Sequence, residues 1–188
     1  MGMAAPIYYT ADMVRALPDD GTRYETVHGE LLVTPAPRLD HQYAVTQLVL
    51  QLGPYLARHP VGQVLTSPAD IAWAPDVLVQ PDVFVVAIDE ARTFDWRRIK
   101  TLLLAVEVLS PSTAHYDRFT KRRVYQEYGV LWYWLLDIDG RAAEVWTPGA
   151  TVPTIERERL VWQPMQDAEP LVIRLENILP RGLTLIAE

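Results

Sequence analysis

The run Leu102-Leu103-Leu104-Ala105-Val106-Glu107-Val108-Leu109 constrains the fold more than any other stretch. It is short and apolar on both faces, the pattern of a strand inside a sheet that is covered on both sides, and one ionisable group interrupts it. A carboxylate in such a run costs several kcal/mol unless a cation meets it, so Glu107 requires a metal ion, a lysine or an arginine nearby.

Two flanking stretches supply candidates. Upstream, Gln80-Pro81-Asp82-Val83-Phe84-Val85-Val86 is a β-branched strand with an aspartate at its mouth. Downstream, Ser110-Pro111-Ser112-Thr113 ends the central strand and offers hydroxyl caps for a helix that runs to Tyr128 and is closed by Gly129. On that helix Asp117, Lys121, Tyr125 and Tyr128 recur at intervals of four and three and share a face. Asp82, Glu107 and Lys121 are therefore expected to converge.

The remainder of the chain alternates short strands with helical patterns. Thr10 caps a short helix that Pro18 ends, and Arg23 to Val27 with Glu30 to Thr34 flank His28-Gly29 as a hairpin. The longest helical pattern runs from about Asp40, its expected N-cap, to Arg58, with Gly53-Pro54 expected to bend or shorten it. Strands are expected at Gly62 to Ser67, Asp70 to Ala74, Ala142 to Thr147, Thr154 to Trp162 and Leu171 to Leu175, with a last helical turn to Leu179. The apolar run Leu131 to Leu136 is expected to be an interior strand or an oligomer contact, and with no linker in sight residues 1–188 read as a single domain.

Composition narrows the chemistry. The 188 residues contain no cysteine, which excludes disulfides, thiolate-bound zinc and cysteine nucleophiles and leaves oxygen or histidine ligands for any metal. A net charge of -7 argues against broad affinity for nucleic acid while leaving room for local basic patches, at Arg92, Arg97, Arg98 and Lys100 and at Arg118, Lys121, Arg122 and Arg123. Lysine occurs only at positions 100 and 121, so Lys121 on the carboxylate side of its helix invites a reason beyond solubility. No apolar run is long enough to span a membrane and no basic-then-apolar leader is present, so a cytoplasmic protein without membrane contact is expected.

Two carboxylates from neighbouring strands suit a hard divalent cation such as magnesium, which polarises a phosphodiester and activates a bound water while a nearby ammonium steadies the developing charge. Pro81-Asp82, Glu107-Val108-Leu109-Ser110-Pro111-Ser112-Thr113, Asp117, Lys121, Tyr125, Gly129-Val130 and Tyr133-Trp134-Leu135 resemble, as an ordered set, the Uma-type restriction endonuclease family within the PD-(D/E)XK superfamily. The likeness extends upstream to Tyr24-Glu25, Gly29-Glu30-Leu31 and His41-Gln42. The resemblance implies a restriction-endonuclease-like α/β core, a mixed central sheet flanked by helices, and DNA hydrolysis with magnesium or manganese. It makes Asp82 and Glu107 metal ligands, with the Val108 carbonyl as a third candidate. The superfamily lysine would stand two residues after Glu107, where this chain has Leu109, and the resemblance assigns its role to Lys121.

Plainer readings stand beside these. Lys121 can pair with Asp117 for structure alone, Tyr125 can be core packing with a polar tip, and Glu25 and Glu30 can be hairpin surface charge instead of auxiliary acids. His41 can be a structural hydrogen-bonding residue or can touch a substrate phosphate. Two rivals to a DNA endonuclease follow: a nuclease-fold binding or structural module without turnover, and a hydrolase of small phosphodiesters. The apolar Trp132 stretch adds the expectation of a homodimer or higher homo-oligomer.

Overall fold

The computed structural model describes residues 7–180, and the two ends of the expected 1–188 domain lie outside them. The chain opens with α1 (Ala11–Arg15), where Thr10 accepts the Met13 N–H at 3.2 Å as the expected cap. The hairpin follows as β1 (Arg23–Val27) and β2 (Glu30–Thr34), and its turn residues His28 and Gly29 both hold positive φ, which matches the right-handed twist of the strands.

Helix α2 (Leu39–Arg58) begins before the expected cap and continues past Pro54. The extended residue before it is Arg38, and Asp40 lies in the first turn, where its carboxylate still faces the positive end of the helix and accepts the His41 N–H at 2.9 Å. Pro54 does not shorten the helix. Its missing N–H removes the hydrogen bond to the carbonyl of Leu50, an exposed residue, while Ala44, Leu48, Leu52, Tyr55 and Leu56 are buried.

Next come β3 (Gly62–Thr66), β4 (Ile71–Ala74), β5 (Val77–Val79), β6 (Val83–Ala87), the short α3 (Ile88–Ala91) and the central β7 (Leu102–Val108). A π-helical segment, Tyr116–Lys121, continues into α4 (Arg122–Glu127). The chain then forms β8 (Tyr133–Asp137), β9 (Ala142–Trp146), β10 (Thr154–Glu156), β11 (Arg159–Trp162), β12 (Leu171–Arg174) and α5 (Leu175–Ile178). The single strand expected over Thr154 to Trp162 is two, because β10 pairs with β9 while β11 leaves that sheet to pair with β12.

These strands make a six-stranded sheet in the order β10-β9-β8-β7-β6-β3, in which β7 and β8 run parallel and every other pair antiparallel. With helices beside it the fold is the mixed α/β architecture that the sequence predicts. Strand β7 sits between β6 and β8. From Leu104 onward its residues alternate: Leu104, Val106 and Val108 pack with α2, α5 and the β11–β12 ribbon, and Ala105 packs on the opposite side with α4 and β5. Glu107 falls on the Ala105 side. Strand β8 is interior, so the apolarity of Trp134 and Leu136 is spent on the core.

A four-stranded sheet, β2-β1-β5-β4, covers part of the Glu107 side and carries β1 towards it. No helix among the described residues is long and apolar enough to cross a membrane.

Candidate active site

Strand pairing brings the first two acids together. Val83 of β6 faces Val106 of β7, so the positions one step further, Asp82 and Glu107, are neighbours across the strands. Asp82 also accepts the Val108 backbone N–H at 2.9 Å, which ties the mouth of β6 to the end of β7.

The following helix supplies the cation. Lys121 Nζ lies 3.0 Å from Glu107 Oε1, 2.8 Å from Glu25 Oε2 of β1 and 3.7 Å from Asp117 Oδ1. Tyr125 donates its hydroxyl to the same Glu107 oxygen at 2.8 Å. The widened π-helical turn carries Asp117 and Lys121 inward together, a departure from regular helix that recurs at functional sites. Around Asp82, Arg23 Nη1 donates at 2.6 Å and His41 Nε2 at 3.0 Å. None of Glu25, Asp82, Glu107, Asp117 and Lys121 is more than 2% exposed, so these charges must compensate one another.

The compensation is incomplete. Four carboxylates face two permanent cations, Lys121 and Arg23. Burial pushes Glu107 well above the usual carboxylate range; Lys121 opposes the shift, and the neighbouring Asp82, Asp117 and Glu25 reinforce it. Burial would raise Asp82 too, but the His41 hydrogen bond and the Arg23 guanidinium overcome it and hold that group far below the ordinary value. Two acids in one cluster are thus driven apart, a pattern common at sites of chemistry. Burial would depress Lys121, yet Glu107, Glu25 and Asp117 raise it, so the amine stays charged.

Asp117 is pushed up to about 6, first by burial, with Lys121 and a Thr113 hydrogen bond acting against the shift. A carboxyl whose pKa rises on folding binds its proton more tightly in the native state, so its contribution is complete below the unfolded value and is lost as pH climbs through about 6. Relative to wild type, Asp117→Asn is expected to gain about 2 kcal/mol between pH 4 and pH 7. Urea unfolding across that range checks it, and a constant difference between the two proteins refutes it.

Arg23, His41 and Asp82 line a cleft of about 720 Å³, together with the Pro35-Ala36-Pro37 segment, Ser110 to Thr113 and the Ile138-Asp139 turn. Glu107, Glu25, Asp117 and Lys121 are not part of its lining. Two polar atoms in that wall, Arg23 Nε and His41 Nδ1, are buried without a hydrogen-bond partner, which is uncommon enough to require a reason.

The donor set fits a hard divalent cation in kind: every acid offers oxygen, no thiolate competes, and the excess negative charge is of the sign a cation would cancel. It is not a closed coordination sphere as it stands. Among the described residues no three histidine, aspartate or glutamate groups are placed to hold a metal ion, since the Asp82 oxygens are taken by Arg23, His41 and the Val108 N–H.

The structure therefore gathers Asp82, Glu107, Lys121, Asp117, Tyr125 and His41 as the sequence predicts. Glu30 is the exception: it is exposed at the start of β2, and the hairpin acid that turns inward is Glu25. Arg23 escaped the sequence reading altogether. Strand alternation held the signal, because Arg23, Glu25 and Val27 share a face and Val27 is core. Leu109 lies just beyond β7, and the amine that reaches Glu107 comes from the helix.

The fold is thus a mixed sheet that carries a buried cluster of acids, a lysine and a tyrosine beside a cleft. The solved structure of a putative nuclease belonging to DUF820 from Anabaena variabilis superposes with a TM-score of 0.73 over 90% of this chain and 97% of that one; at 14% identity the likeness is one of fold. The chain belongs to the Uma2 family, described as "Putative restriction endonuclease", whose model matches residues 11–187. No match exists among the curated proteins.

Proposed function

We propose that residues 1–188 form one restriction-endonuclease-like domain of PD-(D/E)XK type that hydrolyses DNA phosphodiester bonds with magnesium or manganese. The observation that carries this reading is Glu107: an acid on the central strand, its pKa raised by burial and then by the carboxylates around it, and met by Lys121 and Tyr125. Such an arrangement is costly for stability alone.

Asp82 and Glu107 would hold the cation, which when bound supplies Lewis-acid polarisation of the phosphate and a more acidic water. The protein's own groups do the rest. Arg23 and His41 fix the Asp82 carboxylate, and Arg23 Nε faces Glu25 Oε2 at 3.9 Å, so one guanidinium serves both acids. Tyr125 fixes one oxygen of Glu107, and Lys121 keeps a positive charge beside it.

Incubation with labelled single- and double-stranded DNA and magnesium or manganese is expected to give cleavage that a chelator stops and that Asp82→Asn reduces on the order of 100-fold or more. Chelator-resistant cleavage overturns metal dependence. A second reading, a binding module without turnover, draws support from the full occupation of the Asp82 oxygens by protein donors. Metal and DNA binding without cleavage of any nucleic acid would favour it.

A further inference from the structure

Four exposed arginines that lie apart in the sequence, Arg141, Arg157, Arg159 and Arg174, line a surface depression of about 570 Å³ between the β8–β9 turn and the β11–β12 ribbon. Glu158 and Glu176 are the acids in the same lining, and Glu176 pairs with Arg174 at 3.5 Å; four arginines against two acids leave it cationic on a chain whose net charge is -7.

The basic runs obvious in the sequence are half paired: four of their eight side chains meet carboxylates, and Lys100 Nζ donates to the Ala72 carbonyl at 2.6 Å. Arg92 meets Asp89, Arg97 meets Asp95, Arg118 meets Asp137 and Glu144, and Lys121 is buried in the candidate site. Arg141 and Arg157, by contrast, donate to main-chain carbonyls, of Pro180 at 3.1 Å and Gly140 at 3.3 Å, which orient the guanidinium groups without cancelling their charge.

The strand register adds an independent observation. Arg159 and Arg174 are directly opposite each other in the β11–β12 pair, on its exposed face. Like charges in that position destabilise a sheet, and an anion lying across both would relieve the repulsion. The patch also adjoins the cleft. Ile138 and Asp139 line the cleft, the next residue, Gly140, accepts from Arg157, and Arg141 lines the depression, so one turn separates the two.

We propose that this arginine patch binds the phosphate backbone of nucleic acid that extends past the cleft, an inference that rests on the nuclease reading above. Arginine forks suit phosphate oxygens, and the order of features along the surface, from Asp82 through the β8–β9 turn to the arginines, matches a polyanion longer than the cleft. The contacts carry no base readout, so they add affinity and orientation regardless of sequence.

Fluorescence anisotropy of the full chain with a labelled duplex of about 30 base pairs, in chelator so that no cleavage intervenes, tests the patch. Replacing Arg157, Arg159 and Arg174 by glutamine is expected to weaken binding about 10-fold and to reduce the slope of log affinity against log salt by about 2 to 3, while lysine replacements keep the slope. Arg159→Glu alone is expected to raise the melting temperature, because it turns a repulsive cross-strand pair attractive, and still to weaken binding. That opposition guards against misreading an unfolded variant as a binding defect. Equal affinity and salt slope in wild type and the glutamine variant overturn the proposal. So does a loss of binding to phosphatidylglycerol vesicles with DNA binding intact, which would make the patch a membrane contact. Absence of cleavage with metal would sink the nuclease reading while leaving this binding result legible, and an intact cleavage of short substrates beside an inert patch would sink only the patch.

Discussion

Glu107→Gln is expected to abolish DNA cleavage and leave the fold at least as stable as wild type. The two effects have one origin. Glu107 is an acid too many for its surroundings: burial and the neighbouring Asp82, Asp117 and Glu25 raise its pKa well above the ordinary range despite Lys121 at 3.0 Å. Glutamine keeps an oxygen for Lys121 and Tyr125 while removing charge that the cluster does not fully neutralise. Stability from urea unfolding near neutral pH should therefore stay level or rise by about 1 kcal/mol. Loss of a carboxylate central to transition-state charge compensation should reduce cleavage on the order of 1000-fold. Because Asp82 and Glu107 would act on one centre, combining Asp82→Asn with Glu107→Gln should cost little more than either alone. A purely structural Glu107 predicts the reverse: marked destabilisation with activity lost only in proportion to unfolded protein.

Lys121→Met is expected to be the most destabilising single change in the cluster. The amine lies within 3.7 Å of three buried acids, and methionine leaves them facing one another with Arg23 as the nearest permanent cation. Removing one partner of a buried charge pair costs about 3 to 5 kcal/mol, a large part of the 5 to 15 kcal/mol that holds a typical domain together. The penalty should depend on pH in a defined direction. The acids lose their counter-charge and take up protons more readily, so the difference from wild type should shrink below about pH 6, where Asp117 already binds one. Urea unfolding at pH 5 and pH 8 measures both quantities. A change of less than about 0.5 kcal/mol at pH 8 would show that Lys121 neutralises little in the cluster.

The elements that carry the candidate site differ in how far their sequences foretold them. Strand β7 was legible because an apolar run of strand length leaves few other structures open to it, and its lone acid identified itself by cost. The spacing of Asp117, Lys121 and Tyr125 gave the helix face, since that periodicity survives even the π-helical turn through Lys121. Helix α2 was recognised by its stripe but not by its ends, because tertiary burial carried it through Pro54 and began it before Asp40.

Other parts depended on distance along the chain. Glu25 and Glu30 belong to one hairpin, and only the docking of β1 onto β5 determines that the first is buried beside Lys121 while the second meets water. Arg23 is 59 residues from Asp82, and no local pattern announces that pair. The basic runs showed the opposite failure: they were conspicuous as sequence yet half of their side chains proved paired with acids, whereas the arginine surface is assembled from β8–β9, β10–β11 and β12.

By itself the sequence determined the central strand, the helix after it and the costly acid between them, because hydrophobic periodicity and the free energy of burying charge are local properties of a chain. Tertiary structure alone decided which distant groups compensate that acid, how far they fall short, and where the unspent positive charge reaches the surface. Those outcomes depend on strand register and sheet docking, which bring together residues that no periodicity relates.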